Sequence, residues 1–238
     1  MKSSELRTKA WDSLRGNYWP AVLVAFVAAI FGAMISNSGA SFSFNINQED
    51  LNFLFEEVPA IATILLLPAA GVLGTLSFVS FILGGVVQLG YAGYLLKQQD
   101  REIGSVKELF SQFDRFGQGF LQRFLRNLYI FLWSLLFVIP GIIKTFSYAM
   151  TPFIMADNPE MSAKEAISMS KQLMDGHKWE LFCLSFSFIG WQLLAILTLG
   201  IGEIFLAPYV EAAYAVFYRD KIAPKQVTFV QPEYVIGE

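Results

Sequence analysis

Five polar side chains sit in stretches apolar enough to bury them: Gln88, Lys144, Gln192, Glu203 and Glu211. Burying a polar or ionisable group is costly unless it meets a partner, water or a ligand, so each marks candidate chemistry. Glu211 is the sharpest of the five. It follows Pro208 by three residues and has mostly apolar neighbours as far as Tyr218. A carboxyl so placed suits proton or substrate coupling, or a structural hydrogen bond to a hydroxyl such as that of Tyr148. Gln88 and Gln192 are the neutral candidates, and Gln88 with Glu211 suits a polar site within the span. Lys144 lies four residues past Pro140, and Glu203 follows Gly200-Ile201-Gly202. Their equal predicted depth predicts an ion pair between them. Taken singly, Lys144 also suits anchoring a helix at a polar boundary, and Glu203 plain solvation.

None of these groups assembles into a catalyst. The single histidine, His177, has no Ser or Cys at a spacing that would make it a base for a nucleophile. The single cysteine, Cys183, excludes an internal disulfide and reads as a small buried hydrophobe, with acylation as the other reading. One His and one Cys are too few for a structural zinc site. No phosphate-binding loop, dinucleotide fingerprint, zinc-protease motif or nucleophile elbow occurs. The expectation is no enzyme activity, no cofactor and no metal. A basic nucleic-acid footprint is also missing.

The elements that must hold the five residues follow from composition and charge placement. The 238 residues are 55% hydrophobic and 16% charged, with 23 Phe and 5 Trp, against about 25% charged in a soluble domain. All of the 17 Lys and Arg except Lys144 fall in segments that alternate with uncharged runs. The stretch 36–58 has no Lys or Arg but contains Glu49, Asp50, Glu56 and Glu57. By the positive-inside rule that stretch is extracytoplasmic and the basic segments are cytoplasmic. The expectation is a multi-pass cell-membrane protein with both termini in the cytoplasm. Small residues at 36–40 resemble a signal cleavage site, but an uncleaved first membrane helix is preferred, because the apolar run starts only near Tyr18.

The fold class predicted is all-α: a polytopic membrane bundle of about six transmembrane helices with short interfacial amphipathic helices. Residues 1–17 form a cytoplasmic amphipathic helix, with Leu6, Ala10, Trp11 and Leu14 at helical spacing, lying on lipid or on the protein itself. A single membrane domain covers 18–220, with helices at about 18–37, 59–96, 120–140, 141–156, 181–199 and 203–218. The uncharged run 59–96 would make a helix of roughly 57 Å at about 1.5 Å per residue, nearly twice the ~30 Å hydrocarbon thickness. The basic residues after it favour an odd number of crossings, hence one long helix, kinked or broken near Pro68 or Gly84-Gly85; more than one crossing is the alternative. Its glycines suit close helix packing. Arg123 and Arg126 are read as snorkelling to the inner headgroups. Pro140-Gly141 reads as a turn. Residues 105–114 read as a short interfacial helix. Residues 162–178 read as a surface helix with a Ser162/Glu165 capping box and an end at Gly176. Residues 221–238 form a cytoplasmic tail.

The second half carries a recognisable string. It runs Ile139-Pro140-Gly141-Ile142-Ile143-Lys144, Tyr148, Pro152, Asp157, Pro159, Ala166, Ser170, Gly176, Phe188-Ile189-Gly190-Trp191, Pro208-Tyr209 and Phe217-Tyr218. This resembles the bacterial integral-membrane family known as domain of unknown function 975, well over about residues 100–220 and weakly before. A looser likeness extends to the membrane domain attached to some glycerophosphodiester phosphodiesterases. The catalytic domain of those enzymes has no counterpart here, so their activity does not carry over. The resemblance implies a six-helix bacterial membrane domain of no agreed function.

The functional expectation is a non-enzymatic membrane module of the bacterial envelope that binds lipids or protein partners. Its surroundings would be the lipid bilayer, membrane protein partners or further copies of itself. The alternative is a small transporter or permease with a polar site near Glu211 and Gln88.

Overall fold

The computed structural model describes residues 3–31, 33, 60–100, 102, 104–136, 138–198 and 201–224, and among these every regular element is helical. Chain order gives α1 (Ser3–Leu14), α2 (Tyr18–Ile30), α3 (Ala60–Gln99), two short 3₁₀ turns (Val106–Phe110 and Phe113–Arg115) and α4 (Phe116–Leu136). Next come α5 (Val138–Ser147), α6 (Thr151–Asp157), α7 (Ala163–Leu173), α8 (Lys178–Phe186), α9 (Ile189–Leu197), α10 (Ile201–Phe217) and a π-helical turn (Tyr218–Ile222). The acidic stretch 36–58 and most of the tail 221–238 lie outside the described residues.

Local signals set several boundaries. Ser162 accepts from the backbone amide of Glu165, whose carboxylate accepts from the Ser162 amide at 2.9 Å, closing the capping box that starts α7. Gly176 follows α7 at φ +81°, and Gly16 follows α1 at φ +92°. Both occupy the left-handed region that glycine enters without strain. The helix read at 3–17 therefore ends at Leu14.

The long uncharged run lies in one helix, α3, with no interruption at Pro68 or Gly84-Gly85. Breaks occur elsewhere. The helix expected at 141–156 is two, α5 and α6, separated at Tyr148–Met150. The helix expected at 181–199 is α8 and α9, separated at Ser187-Phe188. The segment 105–114 is the pair of 3₁₀ turns. Pro140 is not in a turn; it stands in the first turn of α5, where its missing N–H costs nothing. Pro208 is carried inside α10. Among the residues whose side chains are described (80–99 in α3), no single helix is long and apolar enough to cross a membrane; only the bent pair α1–α2, at 102°, meets the length and composition.

The core forms where α3, α6 and α10 meet, around Tyr91, Phe153, Phe217 and Tyr218. α1 lies along α10 and buries Leu6, Ala10 and Leu14, so its apolar stripe is spent on the protein. α4 and α5 form a tight hairpin in which Gly141 packs on Ser134. α4 crosses α3 where Gly119 meets Gly85 and Val86; a Cβ at Gly119 would sit 2.9 Å from the Val86 Cα.

Charges gather on Arg219-Asp220-Lys221. Arg219 binds Asp157 at the end of α6, at 2.9 Å, and Asp100 just past α3. Asp220 binds Lys9 of α1 at 2.6 Å, and Lys221 binds Glu180 of α8 at 3.1 Å. By contrast, large apolar side chains stand exposed along α4, α5, α8 and α9. The extremes are Leu135 (74%), Ile139 (72%) and Leu197 (79%).

Candidate functional site

The α3–α4 crossing brings a polar cluster into the interior. With glycine at 85 and 119 the two backbones come close, and the face of α4 one and two turns on then points at α3. That face carries Arg123 and Arg126. The Arg126 guanidinium donates to Gln88 Oε1 at 3.3 Å. Glu211, on α10, is fully buried and interacts electrostatically with Arg126, Tyr91 and Tyr214. Arg123 is the second positive charge that Arg126 feels. Tyr214 shares a hydrogen bond with Ser185 of α8 at 2.7 Å. Gln122, one turn before Arg126, is fully buried, and neither of its amide atoms has a hydrogen-bond partner among the described residues.

A cavity of about 350 Å³ opens beside this cluster, between the α4–α5 hairpin and α8–α9. Arg126, Asn127, Thr145, Ser185, Gln192 and Tyr214 supply its polar wall. Phe146, Phe182, Ile130 and Ile189 are among the apolar residues facing them. The volume is in the range of small-ligand sites, as is an apolar lining with a few convergent polar groups. Both helix breaks border the cavity, at Ala149 and between Phe186 and Ile189. α5 ends at Ser147, whose hydroxyl bonds back to Ile143 and whose carbonyl accepts from Ser170 of α7 at 2.9 Å. α8 ends at Ser187, whose carbonyl accepts from Arg7 of α1 at 3.1 Å.

Three of the five residues singled out from sequence are gathered here. Gln88 and Glu211 stand with Arg126, and Gln192 lines the cavity. The Tyr148 ring packs on that of Tyr129. Lys144 and Glu203 lie outside the cluster, and no ion pair joins them among the described residues. The Lys144 ammonium sits 4.5 Å from the centre of the Trp133 ring, a cation–π contact. Glu203 is half-buried in the first turn of α10, where a carboxylate favours the helix dipole. His177 pairs with Glu180 at 3.3 Å, and Cys183 is a half-buried free thiol.

Arg126 is the residue that sequence reasoning missed. Its position near the start of an apolar helix suggested a side chain reaching outward to headgroups. The signal for the inward face was the spacing Gly119, Arg123, Arg126, which puts both arginines on the stripe that the glycine commits to helix contact.

The chemistry these groups offer is binding. A guanidinium fork, hydroxyls and carboxamides orient an anionic or polar group. The cavity holds no nucleophile–base pair, and no group of three or more His, Cys, Asp or Glu is placed to hold a metal among the described residues. Residues 135–224 match the model of a family described as "Protein of unknown function (DUF975)". That segment contains Lys144, Gln192, Glu203 and Glu211, while Gln88 and Arg126 precede it. No curated protein and no solved structure matches the chain.

Proposed function

We propose that the chain is a bacterial membrane module that binds lipid or protein partners and carries out no reaction of its own. One observation carries this reading. The large apolar side chains of α4, α5, α8 and α9 face outward, while the ends of α3, α6 and α10, with Lys9 of α1 and Glu180 of α8, converge on the ion pairs of residues 219–221. Exposed apolar patches of this extent are interaction surfaces, and lipid is the partner that asks for no specific shape. The convergence agrees with charge placement, which puts those ends on the cytoplasmic side. The uncharged run 60–96 within one helix supports the same reading.

Fractionation of cells expressing the full chain tests it. The chain is expected to sediment with membranes, to resist alkaline carbonate and to be released by detergent. Release by carbonate would overturn the reading.

A second reading, a small transporter, is favoured by the cavity reaching Arg126, which links it to Gln88 and Glu211. With Cys183 replaced by Ser, a Gln192→Cys variant labelled by impermeant thiol reagents from both sides of sealed vesicles would support alternating access. Labelling from neither side favours the module.

A further inference from the structure

The cavity has a mouth, and its chemistry is uneven. Among its lining residues Ile142, Phe186 and Ile189 are also exposed on the outer surface, so the opening faces the apolar flank of α5, α8 and α9. Asn127 completes the rim. At the inner wall stands Arg126, the only charged side chain lining the cavity among the described residues. Its hydrogen-bond partner Gln88 is neutral and leaves its charge in place. Arg123 and Arg126 act on one another, and Glu211 supplies the carboxylate that Arg126 feels. Among the described residues, two guanidinium groups against one carboxylate leave one positive charge in excess. Lys171 and Lys178 both act on Lys144 of α5, which adds positive potential on that side. A ligand that complements this site has an anionic head for Arg126 and an apolar body for the mouth.

We propose that this cavity binds the headgroup phosphate of an anionic membrane phospholipid, which enters between α5 and α9 with Arg126 as its anchor. The headgroup occupies the cavity, and the acyl chains continue along the outer faces of Ile142, Phe186 and Ile189. Asn127 and Gln192 carry the carboxamide N–H groups that can donate to phosphate oxygens or headgroup hydroxyls. Guanidinium suits this task because its planar fork meets two phosphate oxygens at once. The proposal rests on the membrane reading above and deepens it, since it names the lipid class and the residue that selects it.

The test is native mass spectrometry of the full chain purified in detergent. The chain is titrated with phosphatidylglycerol, phosphatidylcholine or inorganic phosphate. Phosphatidylglycerol is expected to bind in preference to phosphatidylcholine. Arg126→Gln should weaken it by about 10- to 100-fold, the loss of one or two charge-assisted hydrogen bonds, with Arg126→Lys between. Ile142→Trp, at the half-exposed mouth, guards against a folding defect in the arginine variants; it should block binding with the helical content and melting temperature retained. Lys97→Gln, remote from the cavity, should leave binding unchanged. Equal binding by Arg126→Gln or by a folded Ile142→Trp would overturn the proposal. So would equal affinity for phosphatidylcholine, or displacement of lipid by inorganic phosphate, which would make the ligand a soluble anion. Loss of the wild-type chain from the membrane fraction is a separate result and strikes the membrane reading instead.

Discussion

Glu211 and Arg126 decide the energetics of the interior. A fully buried carboxylate and a half-buried guanidinium have lost much of their hydration, and their mutual attraction and hydrogen bonds offset that loss. Glu211→Gln keeps the shape and removes the charge, leaving Arg126 beside Arg123 without an acid. The expected loss of stability is about 3 kcal/mol, read by denaturant unfolding of the detergent-solubilised protein; unchanged stability would refute the pairing. Near the surface, two acids respond to pH. The Ser162 hydroxyl and amide hold the Glu165 carboxyl below its usual range. At Glu180 partial burial pushes upward, but Lys221 and His177 outweigh it and hold the carboxyl low. A carboxyl lowered by folding stabilises fully above its unfolded value, about 4.3, and the contribution is lost as pH falls through the lowered folded value. Melting temperature should therefore drop on acidification below about pH 4, and Ser162→Ala and Glu180→Gln should each flatten that drop. A variant with an unaltered pH slope would remove its acid from the account. The capping pair was legible in sequence because its parts are three residues apart. The inward turn of Arg126 was not, because it depends on α3, some 38 residues away.

The helix crossings rest on glycine, and not all glycines are equal. A Cβ at Gly119 meets the Val86 backbone, and one at Gly85 meets the Gly119 carbonyl, so either alanine substitution forces α3 and α4 apart. Overpacking of this kind costs about 1–3 kcal/mol. Gly93, on the same helix as Gly85, has no neighbour in reach of a Cβ. Gly93→Ala should be neutral or stabilise by about 0.5–1 kcal/mol through helix propensity. Thermal melts of the three variants separate packing from propensity, and equal effects at 85 and 93 would show that the crossing does not depend on glycine. The existence and type of most helices were readable, since uncharged runs and caps are local. The breaks at Tyr148–Met150 and Ser187-Phe188 were not. Neither holds a proline or glycine; each is fixed by remote groups, Ser170 and Arg7. Pro152, in the first turn of α6, was the one local hint.

For the whole molecule, charge placement makes a sidedness prediction. In a chain with Cys183 replaced by Ser, cysteine introduced at Asp50 should react with an impermeant reagent on intact cells. Cysteine at Lys164 should react only after permeabilisation. The same response at both positions would reverse or abolish the proposed orientation. The all-helical class was legible from composition and periodicity, and the pairing of helices was not, because it is set by contacts across long stretches of chain. α1 is the extreme case. Lys9 finds its acid 211 residues later and Arg7 its carbonyl 180 residues later. At about 5–20 residues per second of synthesis, the opening helix waits roughly 10–40 s for its seat to exist. During that interval Leu6, Ala10 and Leu14 need other company, so a nascent chain halted before residue 200 should expose them to chaperones or to the bilayer surface. A segment made well before its partners is thus among the last to be locked in place.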